Sequence, residues 1–203
     1  AIATQQTGFV LIAQMRSWLP DAVGGILWFG VDDANTAVLT PMYTSITEIP
    51  ECYRRGNGSM TEFSWTSAFW IHNWVANMAY NRYEPMIRDI RPVQKELEDS
   101  YVDLVKNTDA KALELLKSSP AQATAYLTEV CGKVANEATA RWKKLGEYLL
   151  VKYMDGNVKK EKDGKFEENG YGQIVSPNFP GYSQEYYDQV AKSEEAKHLE
   201  VPK

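Results

Sequence analysis

The sequence predicts an α+β fold, with antiparallel strands in the first 60 residues and long α-helices after them. Short apolar runs rich in β-branched and aromatic residues, separated by turn residues, occupy the first part of the chain. From about residue 63 the apolar side chains recur at three- and four-residue spacing, which is typical of helices. After residue 154 the composition becomes polar and glycine-rich, which predicts an irregular C-terminal tail.

Three strands are predicted, at residues 8–14, 25–31 and 37–43. The segment between the second and third strands contains Asp and Asn, which favour turns because their side chains bond the local backbone. Pro41 cannot donate a ladder hydrogen bond and therefore predicts an edge position or a bulge. The runs are almost continuously apolar, so we expect strands covered on both faces, as in a sandwich layer.

A loop at residues 48–60 leads to an unusually aromatic helix at 63–83 that contains three of the six tryptophans. Ser64 is a candidate N-cap for this helix. A helix that is aromatic on nearly every side is expected to be buried against a large partner. We expect its only histidine, His72, to be a buried and hydrogen-bonded structural residue rather than a catalytic one.

Three further helices are predicted. The first begins near Pro85, a favoured first-turn residue, and Pro92 should kink or divide it. The second is short, begins at Thr108 or Asp109 and ends at Ser118. The last runs from Pro120 to about residue 154. Residues 155–172 are predicted to form a hairpin or an exposed loop, and the aromatic segment that follows them is predicted to be irregular.

Composition bounds the classes of function. The formal net charge of -5 gives no electrostatic reason to expect nucleic acid or an anionic membrane as a partner. No apolar run approaches the roughly 20 residues that span a bilayer. The chain begins with Ala1 and has neither an initiator methionine nor an intact signal peptide, which favours a fragment or a processed piece. No cofactor and no metal site are predicted.

Few residues suggest chemistry. Asp32 and Asp33 are candidate paired carboxylates, although a turn after a strand is the favoured interpretation. Cys52 lies near Arg54 and Arg55, which could lower the pKa of its thiol, but no histidine is near it in sequence. Cys131 lies on the apolar face of a helix, where cysteine behaves as a small hydrophobic residue.

Four segments in order suggest a family: MRSWLPDAVGGILWFGVDD, TPMYTSITEIPECYRRGN, FSWTSAFWIHNWVANMA and YEPMIRDIRPVQKELED. Together they resemble the C-terminal part of the cysteine dipeptidases of the dipeptidase A type, which belong to the N-terminal-nucleophile (Ntn) hydrolase superfamily. The resemblance covers about residues 5–106. It implies that residues 1–106 form the C-terminal part of an αββα sandwich, with a helical extension at 107–154 and an irregular polar segment at 155–203.

The resemblance also implies a mechanism and partners. The nucleophile would be an N-terminal cysteine whose own α-amino group is the general base. Because this chain begins with Ala1, we expect that cysteine upstream and the fragment alone to be inactive. The expected partners are a dipeptide substrate, the remainder of the same polypeptide and, as a further option, a second copy of the protein. The resemblance favours a periplasmic or extracellular location.

Only some of the functional residues of the resembled family have counterparts in this sequence. Arg55 stands at the offset of an arginine that lies near the nucleophile in related hydrolases, where it would tune the thiolate or orient the substrate carboxylate. A structural pairing of this arginine with Asp32 or Glu48 is the alternative. Arg54, Asn57 and Trp65 are candidate substrate-binding residues, although for Trp65, and likewise for Trp70, core packing is favoured over lining a substrate pocket.

Three alternatives to a dipeptidase stay open. One is an Ntn amidohydrolase that acts on other linear amides. The second is a non-catalytic binding or assembly module, which the long helices favour. The third is a degenerate relative without activity.

Overall fold

The computed structural model describes residues 3–174 and 178–193 of the chain. A three-stranded antiparallel sheet comes first and long helices follow it. The predicted α+β class is therefore confirmed. The chain divides into two compact units, Ala1–Leu150 and Val151–Lys203.

The sheet has the order β1-β2-β3, with β1 at Phe9–Met15, β2 at Gly25–Val31 and β3 at Thr40–Tyr43. A four-residue helix, α1 (Asp21–Gly24), joins β1 to β2. The third strand is shorter than predicted, because the backbone just before Thr40 bonds to side chains of a helix. The carbonyl of Ala37 accepts from Gln94 Nε2 at 2.6 Å, and the amide of Leu39 donates to Glu98 Oε1 at 3.1 Å.

The two edges of this sheet differ. Pro41 lies in β3 at one edge, as the sequence predicts, and the Tyr43 amide there donates to Cys131 Sγ at 3.3 Å. All of β3 is buried. By contrast, β1 at the other edge is exposed along almost its whole length. The expectation that the strands are covered on both faces is therefore wrong for β1 within the described residues.

The aromatic helix, α2, spans Ala68–Asn81 and begins later than predicted. Ser67 is its N-cap residue, and Ser64 is not, because the Ser64 hydroxyl instead donates to Asn57 Oδ1 at 2.6 Å. The face that includes Ile71 and Val75 is fully buried. Within α2 only Asn77 and Asn81 are exposed, as the prediction of a buried helix requires, whereas Phe63 and Trp65 in the segment before it are exposed.

Two long helices follow α2: α3 at Tyr83–Ser118 and α4, which runs from Pro120 to Tyr153. The predicted interruption near Thr108 is absent, and α3 continues through Pro92 as well. The Asp109 carboxylate does not cap a helix, because it accepts hydrogen bonds from Arg16 and from the Tyr43 hydroxyl.

The second unit contains a small hairpin and a short helix. The hairpin pairs β4 (Glu161–Lys162) with β5 (Lys165–Phe166), and so fulfils one of the two alternatives predicted there. Its turn has positive φ at Asp163 and Gly164, which suits an Asp-Gly pair. The helix α5 (Gln184–Lys192) is capped by Ser183 Oγ, so the prediction of an irregular segment is wrong at these residues. In the described part of the chain, no helix has the length and apolarity to cross a membrane.

Candidate functional site

A cavity of about 560 Å³ lies between the end of β2, the loop at residues 52–60 and the start of α2. Phe29 and Val31 reach it from β2, where alternate residues share a face. Phe69 and Trp70 reach it from the first turn of α2. A cavity of this size falls within the range of about 300–1,000 Å³ that is usual for small-molecule sites.

Two glycines and one asparagine shape the loop beside this cavity. Gly56 and Gly58 have φ of 94° and 79°, a region that glycine occupies without a Cβ penalty. Between them, Asn57 Nδ2 donates to the Glu51 carbonyl at 3.0 Å, and its Oδ1 accepts from Ser64 Oγ. The Asn57 side chain therefore holds the loop together from both ends.

The two adjacent arginines of the loop have different surroundings. Arg54 forms an exposed ion pair with Glu51 at 3.1 Å and donates to the Ile49 carbonyl. Arg55 lines the cavity and makes no hydrogen bond or ion pair with any residue that the structure describes. Its predicted alternative partners, Asp32 and Glu48, are therefore not paired with it. Arg55 leaves an unneutralised guanidinium beside a mostly apolar wall.

The aromatic residues divide between the cavity and the surface next to it. Trp70 lines the cavity, and its indole N–H donates to the Ser59 carbonyl at 3.0 Å. Trp65 does not line it and is 52% exposed. The Trp65 ring packs edge-on against Phe63 and Trp74, with Lys143 Nζ at 4.9 Å from its centre. Core packing, the favoured expectation for Trp65, therefore describes it only in part.

Neither cysteine has the surroundings of an activated nucleophile. Burial raises the pKa of the Cys52 thiol, more than its hydrogen bond with Thr139 lowers it. The idea that Arg54 and Arg55 depress this pKa is therefore wrong. Burial also raises the pKa of Cys131 to about 11, and its sulfur is bonded to the backbone of β3. Both thiols remain protonated at neutral pH.

The two aspartates after β2 serve the turn and its contact with α2. Asp33 is fully buried and accepts from the Thr36 hydroxyl at 3.2 Å. Asp32 has a φ of 68°, which Asp tolerates better than most residues, and accepts from Asn73 Nδ2 at 2.9 Å. Burial raises the pKa of the Asp32 carboxyl. Both side chains fit the turn interpretation, and neither lines the cavity.

His72 is buried, as predicted, and its ring stacks on Trp142 with 5.0 Å between ring centres. The expected hydrogen bonding is not complete, because Nδ1 has no hydrogen-bond partner among the described residues. Burial lowers the pKa of His72 to about 3, so the ring is neutral at physiological pH. Among the described residues, no group of His, Cys, Asp or Glu side chains is arranged to hold a metal ion.

Sequence reasoning found the charged side of the cavity and missed its apolar wall. Arg54, Arg55 and Asn57 all line the cavity. Phe29, Val31, Met60 and Phe69 were expected to be strand, helix or loop residues without a role in a site, and for Trp70 pocket lining was only the less favoured alternative. One available signal was the period of two in β2, which places Phe29 and Val31 on one face.

Comparison with known proteins identifies the family. Residues 1–96 match the sequence profile of peptidase family C69. This part of the chain belongs to that family. A "Probable dipeptidase" of Latilactobacillus sakei is 30% identical over 142 residues, which cover 68% of this chain and 28% of the relative. A "Probable dipeptidase B" of Lactococcus lactis subsp. lactis (strain IL1403) is 28% identical over 145 residues, or 70% of this chain and 28% of the relative.

These matches confirm the resemblance drawn from the sequence at the level of the family. The C69 match ends at residue 96, close to where the quoted segments end. The chain spans about 28% of the length of the curated relatives it matches.

Proposed function

We propose that the full-length protein is a dipeptidase of the Ntn cysteine type, and that this chain supplies the substrate-binding part of it. The observation that carries the proposal is the C69 match together with the cavity beside Arg55. The names of the two relatives support the same reaction class. A cavity with one unpaired cation and an apolar wall suits a small peptide that ends in a carboxylate.

In this proposal the nucleophile is an N-terminal cysteine outside the chain. The two cysteines of this chain support that placement, because both are buried and burial raises the pKa of each thiol. Cys52 lines the cavity, but as a buried, protonated thiol. A free α-amino group has a pKa of about 7.7–8.0, so it can accept the thiol proton near neutral pH.

The reaction then follows from that pair of groups. The thiolate attacks the peptide carbonyl, and preorganised donors stabilise the oxyanion of the tetrahedral intermediate. The proton held by the α-amino group passes to the leaving amine as the C–N bond breaks, which leaves a thioester. Water then attacks the thioester, with the amino group again as base. The N-terminal amino acid of the dipeptide is released, and the free thiol is restored.

Within this chain we assign substrate contact first to Arg55. Its guanidinium binds the carboxylate of the dipeptide in a charge-assisted contact, since no described residue neutralises it. Arg54 adds positive charge at the same rim, and Asn57 holds the loop in shape. Trp65 supports Phe63 and Trp74 beside the cavity.

The exposed strand β1 supports a second part of the proposal, that the remainder of the polypeptide covers it. Phe9, Ile12 and Met15 are 59%, 55% and 74% exposed on this strand, and Trp18 after it is 76% exposed. Contiguous exposed apolar side chains on an edge strand mark an interaction surface. An αββα sandwich would cover this strand with the part of the protein that holds the nucleophile.

The proposed activity is tested on the full-length protein with a panel of dipeptides, with and without a thiol reductant. We expect hydrolysis that iodoacetamide abolishes, with one alkylated cysteine found by mass spectrometry at the mature N-terminus. Alkylation of Cys52 or Cys131 in the active protein, or hydrolysis that survives complete alkylation, would exclude this mechanism. An absence of hydrolysis for every dipeptide would favour a degenerate relative.

An assembly module is the second candidate, because the same exposed strand could pair with a second copy of the chain. Light scattering distinguishes the two. If β1 mediates self-association, the full-length protein is an oligomer and Leu11→Pro converts it to a monomer, because the register of β1 with β2 directs the Leu11 N–H to the open edge. If β1 is instead covered by another part of the same polypeptide, the proline substitution leaves the oligomeric state of the full-length protein unchanged.

A further inference from the structure

The walls of the cavity differ in character. Apolar side chains from β2, α2 and the loop line it, together with the cationic Arg54 and Arg55 of the loop; the apolar ones are Phe29, Val31, Met60, Phe69 and Trp70. Among the described residues, no acidic side chain lines it. A ligand that fits both parts combines an apolar group with a negative charge at one end.

We propose that this cavity is a specificity pocket for dipeptides whose C-terminal residue has a large apolar side chain. The side chain packs against Phe69 and Trp70, and the adjacent carboxylate binds Arg55. This inference rests on the proposed function and adds to it the identity of the preferred residue.

The local structure favours a preformed pocket. The Trp70 indole is fixed by its hydrogen bond to the Ser59 carbonyl, and its ring lies 5.4 Å from that of Phe63. A Cβ on Gly58 would lie 3.0 Å from Trp70 Cδ1, so the loop approaches the indole as closely as glycine permits. Phe29, which lines the cavity from β2, packs edge-on against Tyr53, with 5.2 Å between ring centres. A rigid aromatic pocket loses little entropy when it binds an apolar group.

The cavity is also too large for one small side chain. At about 560 Å³ it has room for a complete aromatic residue with its carboxylate. Transfer of a large apolar side chain from water into such a pocket favours binding about tenfold or more over a glycine in the same place. Discrimination between Gly-Phe and Gly-Gly is therefore the direct signature of the pocket.

The test measures binding of Gly-Phe, Gly-Gly and Gly-Phe amide to the 203-residue chain by calorimetry. We expect Gly-Phe to bind at least about tenfold more tightly than Gly-Gly. The Trp70 indole N–H resonance, assigned with Trp70→Phe, should shift when Gly-Phe is added. Gly-Phe amide should bind about tenfold more weakly than Gly-Phe, because it lacks the charge that Arg55 binds.

Two variants separate the parts of the pocket. Phe69→Ala should reduce the preference for Gly-Phe over Gly-Gly to about threefold or less, because the apolar wall is lost. Arg55→Ala should weaken both acids by the same factor, about tenfold, and leave Gly-Phe amide unchanged. The matched controls are Phe179→Ala, in the second unit, and Arg88→Ala, whose side chain pairs with Glu84 on the exposed face of α3. Both controls should leave all three affinities unchanged.

The inference is wrong if the wild-type chain binds Gly-Phe and Gly-Gly equally, or binds neither. It is also wrong if Phe69→Ala leaves the ratio of the two affinities at its wild-type value. Its failure is distinct from that of the proposed function. A full-length enzyme that hydrolyses both dipeptides without preference removes only the inference, and selective binding by a full-length protein without hydrolysis removes only the proposed activity.

Discussion

At the scale of residues, a buried ion pair joins the sheet to the long helix α3. Arg16 donates to the Asp109 carboxylate and to the carbonyls of Val23 and Gly24, and the Tyr43 hydroxyl donates to Asp109 Oδ1 at 2.6 Å. The side chains of Arg16 and Asp109 are only 7% and 17% exposed. Removal of one partner from such a pair strands the other charge away from water.

We therefore expect Asp109→Ala to lower the free energy of unfolding by about 3–5 kcal/mol, because Arg16 would stay buried without its counter-ion. Urea denaturation of the wild type and the variant measures the change. Asp103→Ala is the matched control, since Asp103 forms only an exposed pair with Lys106 and should change stability by less than about 1 kcal/mol. Equal losses of unfolding free energy in the two variants would show that the buried ion pair contributes no more to stability than the exposed one.

His72 gives the protein a stability that depends on pH. Its pKa falls from 6.5 to about 3 in the folded state, so the unfolded chain binds more protons between these values. The contribution of His72 to stability is thus complete above about pH 6.5 and declines as the pH falls, by up to about 1.4 kcal/mol per pH unit. His72→Phe keeps a ring against Trp142 and removes the titration.

The difference in unfolding free energy between wild type and His72→Phe should accordingly change between pH 6.5 and 4, with the wild type losing relative stability in acid. Groups such as Asp32 titrate in both proteins and cancel in this difference. Parallel stability curves for the two proteins would show that His72 is not protected from protonation.

At the scale of elements, two glycines of α4 have opposite surroundings. A Cβ on Gly146 would meet Trp74 Cζ3 at 2.5 Å, whereas a Cβ on Gly132 would have nothing within 4 Å. The Trp74 side chain of α2 therefore packs directly against α4 at Gly146. We expect Gly132→Ala to stabilise the protein by up to about 1 kcal/mol through helix propensity.

The same substitution at Gly146 should instead destabilise the protein by about 1–3 kcal/mol, because overpacking against the indole exceeds the gain in propensity. Thermal or urea unfolding of both variants tests the pair. A similar stabilisation by both alanines would mean that Trp74 moves away at little cost.

Elements were predictable from the sequence where local pattern decides them. The position of β2 and the extent of α4 follow from apolar periodicity and from Pro120. The start of α2 and the continuity of α3 do not, because Ser64 and Asp109 had local roles as caps and distant partners in the fold. Ser64 instead donates to Asn57, seven residues before it, and Asp109 pairs with Arg16, 93 residues before it; the spacing rules for helix caps describe neither contact.

The site divides in a similar way. Arg55 was predictable because a loop arginine next to GNG stands out in sequence and matches a family position. The apolar wall was not, because Phe69 and Trp70 are indistinguishable from core residues until the loop at 52–60 is placed over them. The burial of the β3 edge was likewise not predictable, because its backbone amides bond to Cys131 and Glu98, which are distant in sequence.

At the scale of the whole molecule, the open edge of β1 is the clearest sign of a missing neighbour. A strand at an edge leaves half of its backbone N–H groups without a sheet partner. If the remainder of the polypeptide pairs there, the amides of β1 that face the open edge should exchange with deuterium at least about a hundredfold more slowly in the full-length protein than in this chain; these are the amides of Phe9, Leu11, Ala13 and Met15. Amides of β2, which are bonded on both sides already, provide the internal reference. Equal exchange rates of these amides in both proteins would show that the remainder of the polypeptide does not cover β1.

The central claim is that Arg55 binds the carboxylate of a dipeptide in an Ntn-type peptidase. The most direct test is kcat/KM for Gly-Phe hydrolysis by the full-length protein, by its Arg55→Ala variant and by the Arg88→Ala control. We expect Arg55→Ala to lose about tenfold to a hundredfold in kcat/KM, equivalent to the 1.5–3 kcal/mol of a charge-assisted hydrogen bond, and Arg88→Ala to match the wild type. An Arg55→Ala variant as active as the wild type would contradict the claim.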